Sequence, residues 1–390
     1  MVKLPAGLQG ECSPRFAVVA QLLGEQLAEG RQHGAAMAIR HRGEPVVDVW
    51  GGQRFRGPGQ EEPWQADTLA VSFSTSKGVA ATALHMVIER HGVDYDTPVA
   101  AVWPEFGRNG KDSVTIRHCL CHEAGVPQIR GEVPDVRNMA DWESMVAMME
   151  RLHPLWVPGT ANGYHAVNFG WLVGELVRRI DGRTLPRFLA EEIAGPLDLD
   201  GLFIGTPPAE HDRVAPVFGE NLSLEAASAI LPPDHLLLRV LAPDGDMVAF
   251  VNSKEGLETV GPAFTGCFTA RALAKLYGAL ERGGSLGGVK LLDPATLAAA
   301  TTVQNHSPDL VLMIPVQWRL GFMGGGSFLS PAGPNPQAFG HSGFGGSVAF
   351  ADPKAEISMA VTLDRLEVDL FAGERVRSLV LAAVEAAQQP

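Results

Sequence analysis

Strand patterning sits near both ends of this chain and helical patterning fills the stretch between, so a sheet has to be closed by segments far apart in sequence. Near the start, residues 35–40 and 45–52 are apolar runs of strand length around the polar turn Arg42-Gly43-Glu44, which reads as a β-hairpin. Near the end, residues 317–323, 346–351 and 356–363 read as strands. The turn Asp352-Pro353-Lys354-Ala355 joins the last two with ordinary turn chemistry. Apolar spacing predicts helices over 16–29, 140–152, 168–181, 184–193, 270–282 and about 370–388. A further helix should open near Ser74 and reach about Arg90, with Val79, Ala80, Ala83, Leu84, Val87 and Ile88 on its buried side. The expected fold is α/β of the α+β type. Residues 1–72 and 268–390 build an antiparallel sheet flanked by helices, and 73–267 form an inserted, mostly helical domain.

At 390 residues, with 46% apolar and 19% charged side chains, the composition is globular. A net charge of -13 argues against nucleic acid or anionic lipid as a partner, because both need a basic face. No apolar run approaches the ~18 residues that span a bilayer. Met1 to Gly7 lack the apolar core of a secretion signal. Cys12, Cys119, Cys121 and Cys267 are too few for a disulfide framework, so a reduced, cytoplasmic protein is expected. No signal bears on oligomeric state.

Ser74-Thr75-Ser76-Lys77 is an S-x-x-K. Residues three apart share a helix face, so the Lys77 amine can reach the Ser74 hydroxyl. A serine in a helix's first turn also sits where free backbone N–H groups can hold an oxyanion. Alone the tetrapeptide is weak; Ser74 as a helix cap and Lys77 as a solvated charge explain it equally well. The small residues that follow, Gly78-Val79-Ala80-Ala81, favour a closely packed helix instead.

Two later segments add parts. Pro158-Gly159-Thr160-Ala161-Asn162-Gly163-Tyr164-His165-Ala166 runs into a helix, and Phe339-Gly340-His341-Ser342-Gly343-Phe344-Gly345-Gly346-Ser347 runs into a strand. With Val114-Thr115-Ile116-Arg117-His118 and His122-Glu123-Ala124-Gly125-Val126-Pro127, the chain resembles the serine β-lactamase and penicillin-binding-protein superfamily. Within it, the chain is most similar to class C β-lactamase-like esterases, the family VIII carboxylesterases. The resemblance implies Ser74 as nucleophile, Lys77 as its partner and Tyr164 as the tyrosine of a Y-x-N motif. It places His341-Ser342-Gly343 on an edge strand lining the substrate pocket, beside Ala166. The oxyanion hole it implies is the backbone N–H of Ser74 and of Phe344.

Two departures bear on substrate. Ala166 replaces the asparagine of Y-x-N, removing an amide that would bond an acylamino group; Asn162 and Asn168 have the wrong spacing. His341 stands where β-lactamases carry lysine, and neutral imidazole is a poor partner for a β-lactam carboxylate. Both point to a small neutral ester as substrate, with short acyl chains preferred and no cofactor or metal. Alternatives on the same machinery are β-lactam hydrolysis, D-amino-acid amide or peptide hydrolysis, acyl transfer to a non-water acceptor, or a silent binding homologue. A tyrosine or lysine at its ordinary pKa is a poor base at neutral pH, and a three-unit shift requires about 4 kcal/mol. Burial can lower Lys77, and cationic or hydrogen-bonding neighbours can lower Tyr164. The sequence leaves both routes open.

Three other patterns carry less. Gly283-Gly284-Ser285-Leu286-Gly287 fits G-x-S-x-G but follows a predicted helix instead of a strand, which favours a helix cap and turn. In His118-Cys119-Leu120-Cys121-His122 the two histidines share a helix face, yet no second ligand pair exists, so core packing is expected. His306 and Asp309 have no informative spacing.

Overall fold

The computed structural model describes residues 1–56, 59–219, 227–229, 231–305, 307–327, 330–368 and 373–389; His306 and the expected start of the last helix lie outside them. The main strands are β1 (Leu8–Cys12), β2 (Gly34–His41), β3 (Glu44–Phe55), β4 (Met323–Gly324), β5 (Phe339–Ser342), β6 (Val348–Asp352) and β7 (Ile357–Leu363). With Glu61–Pro63 added to β3, they form an eight-stranded sheet in the order β1-β3-β2-β7-β6-β5-β4. Neighbouring strands are antiparallel. The expected hairpin is β2–β3, and the two ends of the chain meet where β2 pairs with β7, from Ala35↔Leu363 to His41↔Ile357.

The strand expected over 317–323 survives only as Met323–Gly324. Gly321, at φ 81°, takes the chain out of extended conformation, and Arg319 N–H instead donates to the Phe322 carbonyl at 2.9 Å. The strand β1 was not foreseen.

The helices that frame the sheet and the site are α1 (Ala17–Ala28), α2 (Ser76–His91), α3 (Ile116–Leu120), α4 (Trp142–Arg151), α5 (Phe169–Asp181), α6 (Leu236–Val240), α7 (Ala270–Glu281) and α8 (Gly373–Gln388). The helix expected over 184–193 is one α-helical turn, Leu185–Phe188, continued as a π-helix, Leu189–Ala194. Among the described residues no helix is long and apolar enough to cross a membrane.

Side chains alternate along a strand, and here the alternation sorts by size. Met37, Ile39, Phe350, Ile357, Met359 and Val361 point into the core shared with α1 and α8. Ala36, Ala38, Ala349, Ala351 and Ala360 point the other way, into the core where α7 lies on the sheet. Short side chains let α7 approach closely: Ser358 Oγ donates to the Ala274 carbonyl at 2.7 Å, and a Cβ on Gly278 would sit 3.0 Å from Arg40 Cδ.

Every residue of α2 from Ser76 to Ile88 is buried, so this helix is enclosed all round, not on the one face its sequence predicts. Its small residues make that possible. A Cβ on Gly78 would lie 2.1 Å from the Tyr277 hydroxyl oxygen of α7 but 3.3 Å from Tyr277 Cζ, and that hydroxyl is buried without a hydrogen-bond partner. Gly78→Ala should therefore destabilise the protein by about 1–3 kcal/mol in urea unfolding, although alanine is the better helix former. In a Tyr277→Phe background the same substitution should be neutral or stabilising. Equal losses in both backgrounds would show that the hydroxyl is not what Gly78 accommodates.

Candidate active site

Ser74 is delivered by a short strand, Leu69–Val71, which pairs with Gly266–Phe268 through Ala70↔Phe268 and Val71↔Cys267. Beyond it the chain turns sharply: Phe73 has φ 43°, a left-handed conformation rare for a bulky residue. A single 3-10 turn, Phe73–Thr75, then leads into α2. Neighbouring hydroxyls hold this turn. Ser76 Oγ donates to the Phe73 carbonyl and accepts from Gly266 N–H at 2.9 Å, and Ser347 Oγ donates to the Ser72 carbonyl at 2.8 Å. A Cβ on Gly343 would lie 2.0 Å from the Ser72 carbonyl oxygen, so glycine is what permits this approach.

Opposite stands a second 3-10 turn, Phe344–Gly346, whose Phe344 ring meets Phe73 edge-on at 5.7 Å. Arg375 of α8 secures it by donating to the Gly345 carbonyl at 2.5 Å. Ser74 thus lies in a first helical turn, where backbone N–H groups have no carbonyl one turn back, whereas Phe344 opens a tight turn made by left-handed Gly345 at φ 82°.

The structure brings Ser74, Lys77 and Tyr164 together. Lys77 Nζ and the Tyr164 hydroxyl each lie 2.8 Å from Ser74 Oγ. Lys77 is fully buried and also donates to the carbonyls of Ala166 at 2.7 Å and Ala263 at 3.1 Å. Its amine lies 4.9 Å from the centre of the Tyr164 ring. Burial drives the Lys77 pKa well below the ordinary lysine range. The same burial pushes the Tyr164 phenol up; the Ser74 hydrogen bond opposes this and the nearby Asp309 adds to it.

A cavity of about 290 Å³ opens beside Ser74, lined by Tyr164, Ala166 and Phe344, with Leu237, Val240 and Leu241 as one apolar wall. Arg130 and Asp244, both at its edge, form an ion pair. His341, Ser342 and Gly343 are not among the lining residues. β4 pairs only with Phe339 and Gly340, which leaves the outer edge of β5 free at His341 and Ser342. The His341 ring is buried, stacked 6.2 Å from that of Tyr164, and burial together with Lys77 pulls its pKa down to about 3. Its Nδ1 donates to the Ser342 carbonyl at 2.7 Å, and Nε2 has no partner among the described residues.

Other candidates resolve locally. Asn168 Nδ2 donates to the carbonyls of Val126 and Gln128, and Asn162 Nδ2 to Ser307 Oγ at 2.9 Å, so both amides tie loops together. His118 and His122 do not share a helix face: α3 stops at Leu120, and His122, at φ 64°, turns its ring against Trp318, 4.2 Å away. His118 Nδ1 accepts from Thr115 N–H as a helix cap. Ser285 begins a two-residue hairpin strand after α7, with Gly283 and Gly284 in left-handed turns. Two features had no counterpart in the sequence: the wall of Leu237, Val240 and Leu241, and the Trp318 ring stacked on Tyr164 at 5.4 Å and 9°. Asp309, whose spacing was uninformative, lies buried and accepts hydrogen bonds from Tyr164 and Trp318.

Comparison with known proteins bears on the fold and the family. Over 370 residues the chain is 36% identical to an esterase/beta-lactamase, LipL, of Mycobacterium tuberculosis (strain ATCC 25618 / H37Rv), covering 92% of this chain and 83% of that one. A penicillin-binding protein homolog from Caulobacter crescentus superposes with a TM-score of 0.85 at 38% identity, over 97% of this chain and 99% of its own. A family VIII carboxylesterase superposes with a TM-score of 0.87 at 34% identity, over the same shares, 97% and 99%. Residues 19–382 match the family described as Beta-lactamase, nearly the whole length of the sheet and helices above, and the chain belongs to that family.

Proposed function

We propose that this protein is a serine esterase that cleaves small neutral carboxylic esters through an acyl-enzyme on Ser74. The observation that carries the reading is the hydrogen-bond pattern around Lys77. Carbonyl oxygens only accept, so the two N–H bonds of a neutral amine are used by Ala166 and Ala263. The nitrogen lone pair is then left facing the Ser74 hydroxyl at 2.8 Å. Ser74 O–H donates to Lys77, and Tyr164 O–H donates to Ser74 Oγ. Every polar hydrogen in the trio has an acceptor, and no charge is buried without a partner.

In this reading Lys77 is the general base and Tyr164 the acid. As Ser74 Oγ bonds to the ester carbonyl carbon, its proton passes to Lys77. The negative charge on the former carbonyl oxygen is held by the N–H groups of Ser74 and Phe344. When the carbon–oxygen bond to the alcohol breaks, the leaving oxygen takes a proton by way of the Tyr164 hydroxyl, resupplied by the Lys77 ammonium. Water, deprotonated by the same pair, then attacks the acyl carbon and releases the acid and Ser74. Two relatives bear the names esterase and carboxylesterase, which supports ester chemistry. The cation at the cavity edge, Arg130, is already paired with Asp244, and Lys77 and His341 are held neutral by burial, which favours uncharged substrates. A cavity of about 290 Å³ lies at the small end of ligand pockets, in keeping with short acyl chains. The same reading divides the chain into 1–72 with 268–390 and 73–267: Ser74, Lys77 and Tyr164 come from the second part and Phe344 from the first.

Ser74→Ala should remain folded and lose p-nitrophenyl butyrate turnover by roughly four orders of magnitude or more. A Ser74→Ala protein of wild-type activity removes the nucleophile. Because the base acts when neutral, kcat/KM should rise with pH through a midpoint far below the 10.5 of an ordinary lysine and then stay level, since Tyr164 keeps its proton to high pH. A rise centred near 10 would instead mean that Lys77 is charged at rest. Nitrocefin should be turned over much more slowly than the butyrate ester; the reverse order would overturn the substrate assignment.

A further inference from the structure

We propose that Asp309 is a positioning residue for Tyr164, holding the phenol in line with Ser74 from behind. The inference rests on the esterase reading above and assigns a role to a side chain that touches neither Ser74 nor the cavity. Asp309 is fully buried. Its Oδ1 accepts the backbone N–H of Tyr164 at 3.0 Å, and those of Val311 and Leu312 at 2.9 Å each. Its Oδ2 accepts the indole N–H of Trp318 at 2.9 Å. Burial raises its pKa, and the four hydrogen bonds oppose that: all four partners are donors, so neither oxygen is called on to carry a proton and the arrangement suits a carboxylate.

The bonds converge on one object. Tyr164 is gripped by its own backbone, and the Trp318 indole, oriented by Oδ2, lies flat on the phenol ring at 5.4 Å and 9°. Leu312, held by Oδ1, lines the cavity. One carboxylate therefore sets the height of Tyr164, the plane of its ring and part of the substrate wall. It also places a negative charge behind the phenol. The groups facing Tyr164 are otherwise Ser74, Lys77 at 4.9 Å, and the rings of His122 at 5.1 Å and His341 at 6.2 Å, both histidines held neutral by burial. Burial is the main reason the phenol resists losing its proton, and Asp309 as the nearby anion adds to it, so the phenol stays a donor to Ser74 Oγ.

Asp309→Asn separates these functions. An asparagine oxygen can still accept the three backbone N–H groups, but its amide would face the Trp318 N–H donor to donor. The double variant Asp309→Asn/Trp318→Phe removes that conflict while keeping the charge deleted. We expect Asp309→Asn to lower kcat for p-nitrophenyl butyrate about 10- to 100-fold with KM changed less than threefold. In both variants the level stretch of the kcat/KM profile should end earlier, its alkaline limb moving down from the high pH at which Tyr164 loses its proton in the wild type, because the phenol has lost the anion behind it. The double variant should recover most of the thermal midpoint without recovering the alkaline limb, a split that a purely structural loop anchor would not give. Folded variants with wild-type kcat and an unmoved alkaline limb overturn the proposal. Ser74→Ala, assayed alongside, isolates the parent reading: if it stays active the esterase mechanism fails, whereas an inactive Ser74→Ala beside unaffected Asp309 variants removes Asp309 alone.

Discussion

A lysine amine buried with no carboxylate beside it among the described residues sets the terms for this site. Taking an ammonium out of water without a counter-ion is expensive, and the group escapes by giving up its proton. Lys77 is in that position: burial takes its pKa well below the ordinary lysine range, and its amine faces the carbonyls of Ala166 and Ala263 and the Ser74 hydroxyl. Burial acts oppositely on Tyr164, because there the charged form is the one without the proton. The same burial thus shifts the amine and the phenol in opposite directions, 2.8 Å to either side of the same oxygen; the proposed base and acid roles rest on that contrast.

Dryness on this scale has to be built. Enclosing α2 on all sides requires small residues wherever another element crosses it, and the alanine-lined face of the sheet lets α7 press in close enough to seal it. The strained backbone at Phe73 is tolerated because Ser72, Ser76, Gly266 and Ser347 hold the turn from both sides. Polar side chains here serve mainly to fix the backbone, which leaves few of them to compete for water inside.

What was legible in the sequence was what is local in the chain. The β2–β3 hairpin, the long helices and the three-residue step from Ser74 to Lys77 follow from periodicity and spacing, and Tyr164 followed from a motif with a fixed neighbourhood. The one-sided burial expected of α2 failed because α5 and α7, distant in sequence, also cover it. The strand expected over 317–323 failed at a single glycine, since apolar content alone cannot distinguish a strand from a buried loop. Asp309 and Trp318 left no trace because each finds its partner by tertiary folding: an aspartate in a loop looks the same whether it faces solvent or four N–H donors. The sign of the Lys77 and Tyr164 shifts was equally out of reach, since it depends on which charges are missing nearby.

Arg375 has a consequence in the order of synthesis. The ribosome delivers Gly345 30 residues before the guanidinium that holds its carbonyl. Until α8 has emerged and docked, the Phe344 turn lacks this tie and is held by its own backbone bonds, by Ser347 and by the Phe73 ring. In the proposed mechanism, the Ser74 hydroxyl is therefore made well before the contact that steadies the Phe344 N–H opposite it.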